Sequence, residues 1–98
     1  MPDEPRVRIA PATCVSHDAE RYSIEAELPG VKKKDVEVQA TQHSLCITGR
    51  RGDIEYSTCY HLAHAIDVNK TSAEYKDGFL SITLPFLEAI KTVDVKIN

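Results

Sequence analysis

Apolar and polar residues alternate along most of this chain. Ile24, Ala26 and Leu28 fall on one side of an extended segment, and the glutamates between them fall on the other. Such alternation indicates a half-buried β-strand, because successive side chains of a strand point to opposite faces. Pro29 and Gly30 follow and predict a turn, since proline lacks the backbone donor that a sheet requires and glycine permits a reversal.

The same alternation returns in short segments separated by turn-forming residues. The apolar positions that share one parity are Val36, Val38 and Ala40; Leu45 and Ile47; Tyr60, Leu62 and Ile66; Leu80, Ile82 and Leu84; and Val93, Val95 and Ile97. Short strands at intervals of roughly ten residues predict an antiparallel sandwich or barrel. Near the C-terminus, Leu87 and Ile90 fit a helical stripe equally well, so a short helix or an irregular linker is also possible there.

Length and charge narrow the function classes. The chain has 98 residues, which suits one domain with one core. Its 12 basic and 15 acidic side chains give a net charge of −3, which offers no electrostatic reason to bind nucleic acid or an anionic membrane. The run Lys32, Lys33 and Lys34 is interpreted as a solvated turn whose charge nearby acids dilute.

Targeting signals and cysteine usage indicate the compartment. The charged, proline-containing N-terminus does not resemble a signal peptide, and no apolar run approaches the roughly 20 residues that span a bilayer. Cys14, Cys46 and Cys59 are odd in number, widely spaced and without a Cys-x-x-Cys pair, which argues against a disulfide framework. We therefore expect a soluble, cytoplasmic protein with reduced thiols.

The histidines and cysteines raise the question of a zinc site, because thiolate and imidazole are ligands that zinc prefers. Cys59 and His61 would share a strand face, whereas His61 and His64 would not. The other possible ligands would have to converge from separate strands: Cys14, His17, His43 and Cys46. No third group is evident to orient a Cys59 and His61 pair for nucleophilic catalysis, and phosphate-loop and serine-elbow motifs are absent. We expect no metal, no cofactor and no enzyme activity.

The C-terminal Val95-Lys96-Ile97 places two branched apolar side chains on one face of an extended segment and the lysine on the other. Such a tail can close the chain's own sandwich as a last strand. It can equally lie along the open sheet edge of another subunit and fill two pockets, which is recognition by strand addition.

Two separated motifs resemble the α-crystallin domain of small heat-shock proteins, the Hsp20 family. The first is a strand ending in Leu-Pro-Gly-Val, followed by a Val-x-Val strand and a Leu-x-Ile-x-Gly strand, and comprises Leu28, Pro29, Gly30, Val31, Asp35, Val36, Val38, Leu45, Ile47 and Gly49. The second comprises Ala73, Gly78, Phe79, Leu80, Leu84 and Pro85. The resemblance covers about residues 12–86.

The resemblance implies an all-β, immunoglobulin-like antiparallel sandwich of about 7 to 9 short strands. It divides the chain into a short N-terminal arm (1–11), an α-crystallin-like domain (12–86) and a C-terminal extension (87–98). It also implies a stress-response chaperone of the holdase type, which binds non-native proteins without ATP and assembles into a homodimer or larger homo-oligomer. A co-chaperone or adaptor module of the CS type, which binds folded partners, is the alternative.

The resemblance also implies a docking mode. Val95 and Ile97 match the family's C-terminal motif, which docks into a groove on a neighbouring subunit. The groove residues would be Val38, Ala40, Thr71 and Ala73. The chain departs from many family members in the short segment between Arg51 and Tyr60, which leaves little room for the strand that those members exchange across the dimer. It also has Thr58 and Ala63 where the family pattern has arginine and proline.

Overall fold

The structure is a computed structural model that describes residues 7–88 and 95–97. The part described contains eight strands and two short 3-10 helices, Lys33–Asp35 and Val68–Lys70. The strands are β1 (Val7–Ile9), β2 (Thr13–His17), β3 (Arg21–Glu27), β4 (Val36–Thr41), β5 (Ser44–Arg51), β6 (Ile54–His61), β7 (Ser72–Lys76) and β8 (Phe79–Pro85). The predicted all-β fold is confirmed.

The strands form two four-stranded sheets. The first sheet has the order β1-β6-β5-β4, and the second has the order β2-β3-β8-β7. Neighbouring strands are antiparallel except for β1 and β6, which run parallel. Neither 3-10 helix, and no other helix among the described residues, is long and apolar enough to cross a membrane.

The core lies between the two sheets and is mainly aliphatic. Ile24 on β3 pairs with Ile82 on β8, and Leu45 on β5 pairs with Tyr60 on β6, so inward side chains meet in register. The fully buried large side chains are Ile24, Leu28, Leu45, Ile47, Ile66, Leu80, Ile82 and Leu84. The parity predicted from sequence is therefore confirmed for the central strands.

Two tight turns shape the sheets. Asp77 and Gly78 connect β7 to β8 with φ values of 52° and 84°, the left-handed conformations that a two-residue hairpin of matching twist requires. Gly52, with φ of 54°, opens the two-residue turn between β5 and β6. The segment after β5 therefore returns directly along its own sheet, and no strand-length loop separates the two strands.

The strand β1 lies within the residues assigned to the N-terminal arm and covers the edge of β6. Arg8 on β1 is in register with Glu55 on β6. The Glu55 carboxylate accepts from Arg8 Nε at 3.0 Å and from Arg50 Nε at 2.9 Å. Because Glu55 is buried, these two charge-assisted bonds supply the partners that its carboxylate needs away from water. They also tie β1 to the first sheet.

The expectation of three reduced thiols is wrong for two of them. Cys46 on β5 and Cys59 on β6 are directly opposite each other, with Cα atoms 4.1 Å apart, and form a disulfide. Cys14 is free and exposed on β2. The cysteine count and spacing could not reveal the pair, because the register of the β5–β6 hairpin is what brings the two thiols together.

Candidate functional site

The residues predicted to form a groove lie on or beside β4 and β7, the strands at one end of each sheet order. On the opposite flank, the hydroxyls of Thr13 on β2 and Tyr60 on β6 hydrogen bond across the sheets. This contact places β2 over β6, so the strand orders leave β4 and β7 together on the other side. Lys33, just before β4, and Ala73 on β7 line one surface cleft of about 280 Å³, which agrees with this placement.

The predicted groove residues lie on or beside these two strands. Val38 and Ala40 on β4 are opposite the buried Ile47 and Leu45, so they face the core, yet both are only half-buried. Ala73 on β7 also has inward parity, because it pairs with a buried isoleucine of β8, but it is exposed. Inward-facing apolar residues stay accessible here because neither edge covers the other. We give the name edge groove to the surface that Val38, Ala40, Thr71 and Ala73 are predicted to form.

The backbone of the edge groove offers hydrogen bonds as well as apolar surface. Within residues 7–88 and 95–97, no strand pairs with the outer edge of β4 or of β7. Their outward N–H and C=O groups are therefore available to an added strand. Thr71, just before β7, is half-buried, and its hydroxyl donates to the carbonyl of Asp67 at 3.1 Å. This bond fixes Thr71 against the turn that precedes β7.

Tyr75 anchors the edge strand β7, a role that the sequence analysis did not predict. It has inward parity on β7, and its hydroxyl reaches Leu28 O at 2.8 Å and Val31 O at 2.7 Å. These contacts fasten the edge strand β7 to the loop that leads from β3 towards β4. Burial raises the pKa of the Tyr75 phenol, so the hydroxyl stays protonated and able to donate. A tyrosine at an inward position of an alternating strand was the available signal.

The family-signature residues shape the domain from within. Leu28, Leu80 and Leu84 are buried in the core. Gly30 has a φ of 79° in the turn after β3, and Gly78 completes the β7–β8 turn. Pro29 lies beside Gly30 in the turn after β3, and Pro85 is the last residue of β8. These residues set the core and the turns on which the edge groove is built.

The predicted docking tail is open to solvent. Val95 is 83% exposed and Ile97 is 92% exposed, and neither belongs to a strand. The structure therefore does not place Val95-Lys96-Ile97 as a last strand of its own sandwich. The helical or irregular segment predicted over residues 85–93 is only partly described: Pro85 ends β8, Leu87 is exposed and outside any helix or strand, and residues 89–93 lie outside the described residues.

The histidines and cysteines do not converge on one point. His43 and His61 stack with ring centroids 6.5 Å apart, and His17 lies 6.5 Å from His64 on another part of the surface. In the described portion of the chain, no group of three histidine, cysteine, aspartate or glutamate side chains could hold a metal ion. The disulfide occupies the Cys59 thiol that a nucleophilic pair would need.

Comparison with known proteins identifies the family. The family model described as Hsp20/alpha crystallin family matches residues 14–98. The chain belongs to the Hsp20/α-crystallin family. It is 36% identical over 95 residues to a probable 15 kDa heat shock protein of Leptospira interrogans, covering 82% of this chain and 73% of that protein. It is 28% identical over 106 residues to small heat shock protein C2 of Rickettsia felis, covering 92% and 69% of the two chains.

A solved structure gives the same identification. Heat shock protein 16.0 from Schizosaccharomyces pombe superposes with a TM-score of 0.75 at 27% identity, covering 92% of this chain and 99% of that one. The resemblance inferred from the two sequence motifs is therefore confirmed. Membership of the small heat-shock protein family is consistent with a chaperone role and gives no indication of an enzyme.

Proposed function

We propose that this Hsp20-family chain is an ATP-independent holdase, which binds non-native proteins and suppresses their aggregation. In this proposal residues 12–86 form the α-crystallin domain, residues 1–11 form a short arm, and residues 87–98 form an extension that carries the docking motif. The observation that supports it most directly is the edge groove, where inward-facing apolar residues of β4 and β7 remain accessible.

The groove suits an extended apolar segment. A strand laid along β4 or β7 would satisfy unpaired backbone groups, while its alternate side chains would contact Val38, Ala40 and Ala73. Proteins that have lost their native fold expose such segments, whereas folded proteins bury them. The groove therefore selects for the non-native state by shape and hydrogen bonding.

Holding requires no chemical energy. A client segment bound in the groove is withdrawn from intermolecular association, and the fraction bound follows from affinity and concentration alone. Release occurs by dissociation. A client that then refolds buries its apolar segments and no longer binds the groove. This mechanism needs neither a nucleotide nor a catalytic side chain.

The exposed tail supplies a second occupant for the same surface. Val95 and Ile97 have the spacing of two side chains on one strand face, which is also the spacing of Val38 and Ala40. In our proposal the tail of one subunit docks in the edge groove of another and competes with clients. The small heat-shock protein of Xylella fastidiosa is described as having a distinct high order structure, and its fold resembles this chain with a TM-score of 0.71.

The holdase proposal is tested by light scattering from a heat-labile client without ATP. We expect suppression of client aggregation at near-stoichiometric amounts of this protein and none with an inert protein of similar size. Ala73→Arg, which places a charge and a long side chain in the groove, should weaken the suppression. Ser72→Arg adds the same charge on the adjacent residue, which has outward parity and is exposed, and should leave it unchanged.

Failure to suppress aggregation under these conditions would contradict the holdase proposal. Binding of this chain to a folded chaperone partner would then favour the CS-type adaptor. Equal loss of suppression in the two arginine variants would contradict only the assignment of the groove, because a general charge effect would explain it.

Tail docking predicts a change in assembly. Val95→Ala combined with Ile97→Ala removes the two apolar side chains, and we expect the mass in solution to fall towards that of a dimer or monomer. Lys96→Ala is the matched control, since that side chain would face away from the groove and the mass should stay the same. Size-exclusion chromatography with light scattering gives both masses. An unchanged mass for the double variant would contradict inter-subunit docking of the tail.

A further inference from the structure

A second surface of the domain concentrates positive charge. A cleft of about 360 Å³ lies where the turn after β3 meets the end of β5. Its lining comprises Gly30, Lys32, Lys34, Asp35, Arg50, Arg51 and Gly52. Four basic side chains and one carboxylate surround this space, although the whole chain has a net charge of −3. We call it the basic cleft.

The turn residues bring the two halves of the basic cleft together. Gly30 has a φ of 79°, and a Cβ at this position would lie only 2.8 Å from Arg51 Cδ. Glycine therefore allows the stem of Arg51 to lie against the turn. The Arg51 guanidinium donates from Nη2 to the Tyr56 hydroxyl at 3.3 Å, which fixes one side of the group. Arg51 also lies over the Tyr56 ring, with its guanidinium carbon 6.0 Å from the ring centroid, and it lines the same cleft as Lys32 and Lys34.

Lys32 and Lys34 supply positive charge to the cleft. Lys32 and Lys34 are exposed, and within the described residues neither has a carboxylate oxygen within 4.0 Å of its ammonium group. Sequence alone predicted a solvated turn, because it shows only the acids that neighbour the lysines along the chain. The fold adds Arg51 from the end of β5 to the same cleft. Arg50, the fourth basic residue of the cleft, is bonded to Glu55 at 2.9 Å, so the excess positive charge comes from Lys32, Lys34 and Arg51, partly offset by Asp35. Like charges that converge in this way repel one another, and a bound anion relieves that repulsion.

The chemistry of the cleft favours an anion with several charges in a row. Arginine binds phosphate oxygens through two parallel N–H donors, and lysine acts as a mobile point charge for the same groups. The cleft has a volume of about 360 Å³ and is open to solvent, so a linear anion of more than one phosphoryl group can lie in it. We propose that the basic cleft binds a chain of linked phosphoryl groups, such as inorganic polyphosphate or the triphosphate of a nucleotide.

This inference is independent of the holdase proposal. The basic cleft contains none of the four edge-groove residues, and binding of a triphosphate requires no hydrolysis, so an ATP-independent mechanism is unaffected. The two proposals are also measured differently. Anion affinity is obtained by titration of the folded protein alone, whereas holding is measured with a client.

The test is isothermal titration calorimetry of the full chain at about 50 mM salt, where charge screening is modest. The probes are tripolyphosphate, ATP, AMP and orthophosphate. We expect tripolyphosphate to bind at least about tenfold more tightly than orthophosphate, a difference of about 1.4 kcal/mol. Equal affinity for ATP and tripolyphosphate would show that the cleft recognises the phosphate chain alone. Tighter binding of ATP would show that the nucleoside also contributes and that a nucleotide is the preferred ligand.

Paired variants distinguish a site from general attraction. Lys32→Gln with Lys34→Gln should weaken tripolyphosphate binding about tenfold or more while leaving the melting temperature unchanged. Lys70→Gln with Lys76→Gln removes the same charge from exposed lysines outside the cleft and should change the affinity little. Equal weakening in the two pairs, or no tripolyphosphate binding at millimolar concentration, would overturn the proposal. Binding of AMP as tight as that of ATP would also overturn it.

Discussion

Replacing Leu80 with alanine is expected to lower the free energy of unfolding by about 2 to 5 kcal/mol, the range for truncation of a fully buried leucine. Leu80 is 2% exposed. It lies on β8, an inner strand of the second sheet, between Ala26 on β3 and Tyr75 on β7. Its neighbours are held by sheet hydrogen bonds on both sides, so the backbone cannot move in to fill the space that alanine would leave.

The neighbouring residue provides the control. Phe79 is 56% exposed and has the opposite parity on the same strand. Phe79→Ala removes a larger side chain, yet it should cost less than Leu80→Ala because little buried contact is lost. Both values come from urea denaturation at matched protein concentration, since assembly would otherwise contribute to the apparent stability. A loss below about 1 kcal/mol for Leu80→Ala would show that the assigned strand parity is wrong.

Strand parity was predictable because it is a property of the local sequence. A shift of one residue would move Leu80, Ile82 and Leu84 to solvent together, so these three residues determine which face of β8 is buried. The turns were equally local. Asp77 and Gly78 tolerate the left-handed backbone that the hairpin needs, and their position between two alternating segments indicates the reversal.

The candidate groove residues could be named only through the family resemblance, and their accessibility depends on strand order. Val38 and Ile47 have the same parity and similar apolar character, yet Ile47 is fully buried and Val38 is half-buried. The difference arises because, among the residues that the structure describes, β5 has a strand on each side and β4 has one on only one side. Strand order is a non-local property, and alternation is the same in a central strand and in an edge strand.

Other features depended on register between distant segments. Glu55 was not singled out, because a glutamate among alternating residues predicts an exposed position, but Arg8 and Arg50 enclose it. The Cys46 and Cys59 pair was missed for the same reason, since sequence separation does not show which residues of two strands are opposite. Tyr75 was missed because its two acceptors are backbone carbonyls of a loop more than forty residues earlier in the chain.

Reduction of the Cys46–Cys59 disulfide should destabilise the oxidised protein by about 3 kcal/mol. The two cysteines are 13 residues apart, and closing a loop of about this length restricts the unfolded chain by that amount in the chain-entropy account. The cost falls mainly on the unfolded state, because the β5–β6 ladder holds the two strands together with or without the covalent link. Urea denaturation with and without dithiothreitol measures the difference.

Two variants assign the effect to this bond. Cys46→Ser with Cys59→Ser should match the reduced protein and show no response to dithiothreitol, while Cys14→Ser should respond as the unaltered chain does, because Cys14 is the free thiol. A count of three reactive thiols in protein that has been denatured without any reductant would contradict the disulfide directly. Thiols remain reduced in a cytoplasm and oxidise outside it. Urea denaturation with dithiothreitol therefore gives the stability of the domain under cytoplasmic conditions, and denaturation without it gives the stability under oxidising conditions. A domain that keeps its fold and its groove after reduction would work in either compartment, since the bond is not part of the groove surface.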